Sequence, residues 1–134
     1  MNEAAQKSTG RSIWAVVAGF VVVVVLSTVT DAVLHAAGLF PALGKSMSNS
    51  LFALATAYRT LYGILGSYAT ARLAPNKPMK HSLIGAAIGT AIATIGAMAT
   101  WNMNLGPHWY PVALILTALP TGWLGAKLRM LQTQ

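Results

Sequence analysis

Two apolar stretches of this sequence contain side chains that could bind a ligand or exchange a proton. In the first stretch, Ser27, Asp31 and His35 follow one another at intervals of four residues. On a helix this spacing places a hydroxyl, a carboxylate and an imidazole on one face. Side chains that point the same way cannot line up as a catalytic triad, and the chain has no cysteine and no P-loop, dinucleotide or hydrolase motif. We therefore predict that the protein is not an enzyme and holds no cofactor or metal.

The second stretch contains Arg59, which follows Tyr58 directly and lies one turn before Tyr62. An arginine keeps its charge at any ordinary pH, so inside a bilayer it needs a partner of opposite charge. The chain has two acidic residues, Glu3 in the polar N-terminal segment and Asp31 in the first apolar stretch. Asp31 is therefore the expected partner of Arg59.

Two interpretations of this pairing remain open. In the first, Asp31 and Arg59 form a structural clamp, and removing one partner would leave a buried charge at a cost of several kcal/mol. In the second, they belong to an outward-facing polar site that binds an anion, a proton or a polar lipid head group, since ionisable residues within a membrane are functional candidates. The residues of this predicted intramembrane polar site are Ser27, Asp31, His35, Tyr58, Arg59 and Tyr62.

The composition indicates which kind of fold must position these residues. Of the 134 residues, 55% are hydrophobic and 8% are charged, whereas about a quarter of the residues of a soluble domain are charged. The basic residues lie at the ends of apolar segments and not on one helix face, which favours the lipid bilayer over nucleic acid as a partner. The length suits one membrane domain over residues 1–134, without a separate soluble catalytic domain.

The apolar segments predict an all-α membrane protein with four transmembrane helices in an up-down bundle. After a polar tail over residues 1–12, the predicted spans are about 13–37, 51–71, 83–100 and 112–127. Four spans place both termini on one side, where seven basic residues lie, whereas the opposite loops hold Lys45. The excess of positive charge predicts that both termini are cytoplasmic, in a multi-pass protein of the bacterial inner membrane. The seven basic residues are Lys7, Arg11, Arg72, Lys77, Lys80, Lys127 and Arg129.

The third span carries a stripe of small residues. Gly85, Gly89, Ala93 and Ala97 recur every four residues, which is the spacing of the small-residue motifs that let membrane helices approach closely. We predict that this span is the helix around which the others pack, or that its stripe is a dimer face.

The length and the four spans resemble the small multidrug transporter class, which places an acidic residue in its first helix. Asp31 departs from that pattern because it lies near the outer end of its span and has Arg59 to neutralise it, so a drug-export role is not carried over. The expected function is helix packing and assembly, as a homo-oligomer or as an accessory subunit of a membrane complex. The alternative is a small-solute or proton-linked transporter or channel that uses Asp31, Arg59 and His35.

Overall fold

The computed structural model describes residues 3–42, 45 and 47–134 of the chain. Within these residues the protein consists of four α-helices, α1 (Glu3–Ala36), α2 (Asn49–Leu73), α3 (Pro78–Thr100) and α4 (Trp109–Gln132). At a rise of about 1.5 Å per residue, even the shortest helix exceeds the roughly 30 Å hydrocarbon core of a bilayer. The predicted all-α fold with four helices is confirmed.

Three of the helices, α1, α3 and α4, are long and apolar enough to cross a membrane. Large apolar side chains such as Val24, Ile95 and Leu116 are exposed, whereas the buried positions are mostly Ala, Gly, Ser and Thr. A soluble fold would reverse this distribution. The chain is therefore a helical membrane protein, in which the bulky side chains can face lipid and the small ones can face neighbouring helices.

Helix α1 begins well before the predicted first span. The sequence predicted a polar tail over residues 1–12, of which residues 1 and 2 lie outside the described part of the chain, but α1 already begins at Glu3. An acidic residue in the first turn complements the positive end of the helix dipole. The Thr9 hydroxyl is also satisfied within the helix, since it donates to the Ala5 carbonyl at 2.9 Å. The tail is polar and largely exposed, but it continues the helix of the span.

The other end of α1 is fixed by Gly38. Its φ of +79° is the left-handed conformation that ends many helices and that glycine adopts without steric cost. Beyond it, the Leu39 and Phe40 amides donate to the Leu34 carbonyl at 3.0 and 3.1 Å. The chain therefore turns back towards α2 at the end of α1 where Asp31 lies.

Helix α2 lies at the centre, antiparallel to its chain neighbours α1 and α3 and parallel to α4, whose residues it meets in the same order, Phe52 beside Tyr110 and Ser67 beside Gly122. Helix α1 packs beside α2, α3 packs beside α4, and the most extensive interface joins α2 to α4. No Cα atom of α1 lies within 8 Å of a Cα atom of α4 among the described residues. The prediction that α3 is the central helix was therefore wrong, because α2 makes the two largest interfaces of the bundle.

The bundle has two halves that differ in packing. The terminal half contains both ends of the described chain and the connection 74–77, and it comprises residues 3–19, 63–73, 78–89 and 118–132. The loop half contains the remainder of the helices with the two longer connections, residues 37–48 and 101–108. The candidate site lies where the two halves meet.

Glycines bring the helices of the terminal half into backbone contact. A Cβ atom on Gly66 of α2 would lie 2.7 Å from the carbonyl oxygen of Gly19 on α1. A Cβ atom on Gly122 of α4 would lie 2.5 Å from the Cβ of Ala86 on α3. Real Cβ atoms do not come so close, so side chains at these positions would push the helices apart.

Candidate functional site

A charged cluster joins α1 to α2 in the loop half. Arg59 Nη2 donates to Asp31 Oδ2 at 2.5 Å, and the Tyr58 hydroxyl donates to Asp31 Oδ1. Both carboxylate oxygens therefore have a donor, and the ion pair expected from the sequence is present. The two charged side chains are 31% and 32% exposed, so the pair lies partly within the bundle and partly at its surface.

Aromatic rings surround the guanidinium group of Arg59. Its Cζ lies 5.7 Å from the centroid of the Tyr58 ring, and the Tyr58 and Tyr62 rings are 5.8 Å apart. Tyr110, at the start of α4, packs against Phe52 of α2 with ring centroids 5.0 Å apart. The sequence did not indicate Tyr110 as a site residue, because it comes from the fourth helix and reads as an ordinary interfacial aromatic residue.

Two of the predicted site residues have other partners. The Tyr62 hydroxyl lies 2.7 Å from Thr30 Oγ1 on α1, so it supports the helix pair and not the carboxylate. His35 packs edge-on against Phe40 with ring centroids 5.4 Å apart, and no hydrogen bond to Asp31 is present. Its place on the same face of α1 as Asp31 therefore does not bring it into the cluster.

Ser27 faces a cavity at the centre of the bundle. It is 6% exposed, and its Oγ has no hydrogen-bond partner among the described residues. Arg59 lines the same cavity, and its Nε atom is also buried without a hydrogen-bond partner among the described residues. An unpaired buried donor costs about 1–3 kcal/mol, so these two groups lower the stability of the bundle at this point.

The cavity has a volume of about 250 Å³ and is lined by all four helices. It occupies the space left open because α1 and α4 do not touch. Its wall consists mostly of small and apolar side chains, interrupted by hydroxyl groups. Apart from Ser27, the lining hydroxyl groups are those of Thr60, Ser67, Thr70, Ser82, Thr117 and Thr121.

Three of these hydroxyl groups tie the helices together at the terminal end of the cavity. Ser67 Oγ donates to the Gly122 carbonyl at 2.6 Å, and Ser82 Oγ donates to the Ser67 carbonyl at 2.9 Å. Thr70 Oγ1 donates to the Ala15 carbonyl at 2.9 Å. Their hydrogens are used, but their oxygen lone pairs remain able to accept. Single serines and threonines in apolar helices gave no sequence signal for this role.

The small-residue stripe of α3 is turned towards the cavity. Gly85, Gly89 and Ala93 line it, and a Cβ atom on Gly85 or Gly89 would sit 3.7 Å from Val16 or Phe20, which is ordinary contact. These glycines therefore leave room for the cavity and do not bring two backbones together. The close approach that the sequence assigned to the stripe occurs at other glycines of the bundle.

A second cavity continues the first towards the loop end. Its volume is about 310 Å³, and it shares Ala93 and Leu114 with the first cavity. Ala97, the last residue of the stripe, is buried in its wall. At its far end the rings of Trp101 and His108 are stacked 3.9 Å apart. The two cavities thus follow α3 along much of the length of the bundle.

Comparison of the chain with protein-family models, with curated proteins and with solved structures gave no match. Within the described residues, no three His, Cys, Asp or Glu side chains are grouped so that they could hold a metal ion.

Proposed function

We propose that this protein is a small-solute transporter or channel of the bacterial inner membrane and that its solute passes through the cavity between the four helices. The observation that supports this proposal best is the cavity of about 250 Å³ between the four helices, which both Ser27 and Arg59 line. A bundle that served packing alone would gain stability by filling the space with apolar side chains and removing the donors. The second cavity extends the path towards the loop end.

The clamp and the binding site are compatible in this proposal. Arg59 uses Nη2 to hold Asp31, and the same side chain lines the cavity. The opposite charges cancel, so the arginine can lie within the membrane and still offer a donor to a solute. Asp31 then serves as the group that holds the guanidinium in place, together with the Tyr58 hydroxyl.

The placement in the membrane is part of the same proposal. Helix α2 is 25 residues long and packs against the other three helices, which supports it as the fourth span despite Arg59. Seven basic residues cluster at the terminal end, and Lys45 lies in a connection at the loop end. This asymmetry supports a cytoplasmic location of both termini. The cluster of Asp31 and Arg59 then lies in the outer half of the bundle.

Solute flux into liposomes would test the proposal. Reconstituted protein should accelerate the uptake of at least one small uncharged solute, from a panel of urea, acetamide, glycerol and erythritol, beyond the rate in empty liposomes. The double variant Asp31→Leu with Arg59→Leu should still assemble and keep its thermal stability, because no unpaired charge remains, but its flux should fall to background. Thr94→Val serves as the control, since that hydroxyl donates to the Thr90 carbonyl and lies outside both cavities.

A wild-type protein that moves no solute of the panel faster than empty liposomes do would overturn the transport proposal. A folded double variant that keeps the wild-type flux would leave transport standing, but it would reduce Asp31 and Arg59 to a structural clamp.

Assembly is the second candidate function. It is supported by α3, which is the least buried of the three apolar helices and exposes Gly96 and Ala91. A homo-oligomer or a larger membrane complex could cover this surface, with the small residues allowing close approach. The mass of the protein extracted in native lipid tests this candidate: a monomeric mass without a second subunit would contradict it.

A further inference from the structure

The terminal end of the bundle carries a strong excess of positive charge. Seven basic residues lie there, against one acidic residue, Glu3. Within the described part of the chain, Asp31 and Arg59 form the one ion pair, so none of the seven basic side chains is paired with a carboxylate. Charges that the chain does not neutralise attract anions from its surroundings.

These basic side chains are accessible and lie on every side of the bundle. All seven are exposed or partly exposed. Each helix supplies at least one of them near its terminal end, with Arg11 on α1, Arg72 on α2, Lys80 on α3 and Lys127 on α4. A rigid polyanion such as a DNA duplex would meet one side of the bundle, whereas lipid head groups surround all four helices.

Two tryptophans indicate the depth of these charges in the membrane. Trp14 on α1 and Trp123 on α4 are 60% and 48% exposed, and tryptophans of membrane proteins concentrate at the interface between hydrocarbon and head groups. Arg11 precedes Trp14 by three residues, and Lys127 follows Trp123 by four. At a rise of about 1.5 Å per residue, both basic residues lie about 4–6 Å further from the bilayer centre. This depth is that of the lipid phosphate groups.

We propose that the terminal end of the bundle binds anionic phospholipids selectively, with their phosphate groups paired to basic side chains around all four helices. A zwitterionic lipid neutralises its phosphate with its own ammonium group, so the basic side chains favour a head group of net negative charge. The loop end has Lys45 and the neutralised Arg59, and it should show little selectivity. This inference does not depend on the proposed transport function.

Quenching of tryptophan fluorescence by nitroxide-labelled lipids tests the selectivity at each end of the same molecule. One reporter protein keeps Trp14, and the other keeps Trp109 at the loop end, which is 40% exposed. The other three tryptophans are replaced by phenylalanine in each reporter. Both proteins are reconstituted into phosphatidylcholine liposomes that contain phosphatidylcholine or phosphatidylglycerol with a nitroxide close to the head group. Both leaflets hold the same lipids, so any difference between the reporters comes from the protein.

At Trp14, phosphatidylglycerol should bind about fivefold more tightly than phosphatidylcholine, the ratio expected where a head group meets one basic side chain. At Trp109 the ratio of the two affinities should be close to one. Lys7→Gln combined with Arg11→Gln should lower the ratio at Trp14 towards one, and Lys45→Gln should leave it unchanged. The double variant keeps five of the seven basic residues, so the charge asymmetry that orients the protein in the membrane is preserved.

Native mass spectrometry provides a measurement that needs no tryptophan substitution, and it decides if a reporter protein fails to fold. Wild-type protein released from nanodiscs with equal amounts of the two lipids should retain mainly phosphatidylglycerol. The variant Lys7→Gln with Arg11→Gln should retain less of it, whereas Lys45→Gln should match wild type. All three substituted side chains are exposed, so their replacement should not disturb the packing of the helices.

Equal affinity ratios at Trp14 and Trp109 would overturn the proposal, because the selectivity would not belong to the terminal end. A ratio at Trp14 that survives both the double variant and about 0.5 M NaCl would exclude charge as its cause and overturn it as well. Displacement of phosphatidylglycerol from Trp14 by a DNA duplex would identify a nucleic-acid surface instead. None of these measurements involves solute flux, so the transport proposal is tested separately.

Discussion

The helices are held together by different kinds of contact in the terminal half and in the loop half of the bundle. In the terminal half, Gly19, Gly66 and Gly122 bring backbones together, and the hydroxyl groups of Thr70 and Ser82 bridge between helices. In the loop half, a partly exposed ion pair and two unpaired donors lie beside open space. The helices of the terminal half are thus joined by backbone contact and hydroxyl bonds, whereas α1 and α2 are joined in the loop half by an ion pair, and the cavity is lined by residues of both halves.

This difference explains how a bundle of modest size can keep a cavity. In lipid, helices associate through close packing and interhelical hydrogen bonds, since apolar surface alone gives little gain. The terminal half supplies both kinds of contact, so the bundle does not depend on filling its centre. The loop half can then keep Ser27 Oγ and Arg59 Nε without partners among the described residues, at some cost in stability.

The largest predicted effect is the loss of stability caused by a substitution in the terminal half. Gly66→Ala places a Cβ 2.7 Å from the Gly19 carbonyl oxygen and even closer to the Val23 side chain. Because backbone cannot move aside as a flexible side chain can, we expect a loss of about 3 kcal/mol of stability, the upper end of the usual cost of overpacking. Thermal unfolding of the purified variant in detergent measures this loss.

Gly89→Ala is the matched control, because its Cβ would lie 3.7 Å from the Phe20 ring. It should be neutral, or stabilising by up to about 1 kcal/mol through the helix propensity of alanine. Equal destabilisation by the two substitutions would show that Gly66, which meets the backbone of α1, is no more constrained than Gly89, which meets only the Phe20 ring.

The contrast between Gly66 and Gly89 also marks what a single sequence can predict. The helices, their order and the partner of Arg59 were predictable, because apolar length and the shortage of acidic residues leave few alternatives. The central place of α2 and the cavity were not, since they depend on how each helix is rotated. Helices that are apolar on most faces carry almost no information on rotation, so the small residues of α3 indicated close packing where the structure has space.

The same limit applies within the candidate site. Tyr58 and Tyr62 both lie one turn or less from Arg59, and sequence alone assigned both to the polar site. Their different partners, Asp31 and Thr30, depend on distances of a few ångströms between α1 and α2. The unsatisfied state of Ser27 also has no signature in the sequence.

The second prediction compares how much stability is lost when the hydroxyl group of each of these two tyrosines is removed. Tyr58→Phe removes a donor to the Asp31 carboxylate, and a hydrogen bond to a charged group contributes about 1.5–3 kcal/mol. Partial exposure of Asp31 reduces this, so we expect a loss of about 1–2 kcal/mol. Tyr62→Phe removes a bond between neutral hydroxyl groups and should cost about 0.5–1 kcal/mol. Thermal unfolding of both variants gives the order, and a larger loss for Tyr62→Phe would contradict the assignment of Tyr58 to the charged cluster.

The third prediction measures one interhelical bond of the terminal half. Thr70→Val keeps the shape of the side chain but removes the donor to the Ala15 carbonyl, which is buried. Polar bonds between membrane helices contribute about 0.6–2 kcal/mol, and we expect a destabilisation in this range. Thr90→Val removes a hydroxyl that donates within its own helix and should have almost no effect. A similar small effect of both would show that Thr70 does not tie α1 to α2.

The smallest predicted effect concerns His35, which the sequence placed beside Asp31 on one helix face. The structure pairs its ring with Phe40 instead, at a centroid distance of 5.4 Å. His35→Phe keeps an aromatic ring in that contact, so the change in stability should stay below about 0.5 kcal/mol, and solute flux should equal that of wild type. If His35→Phe lowers the flux as much as the double variant of Asp31 and Arg59 does, His35 is part of the functional site. Asp31 already accepts a hydrogen bond on each carboxylate oxygen, from Tyr58 and Arg59, so it has little need of a third donor. The His35 ring packs instead against Phe40, which follows the end of α1.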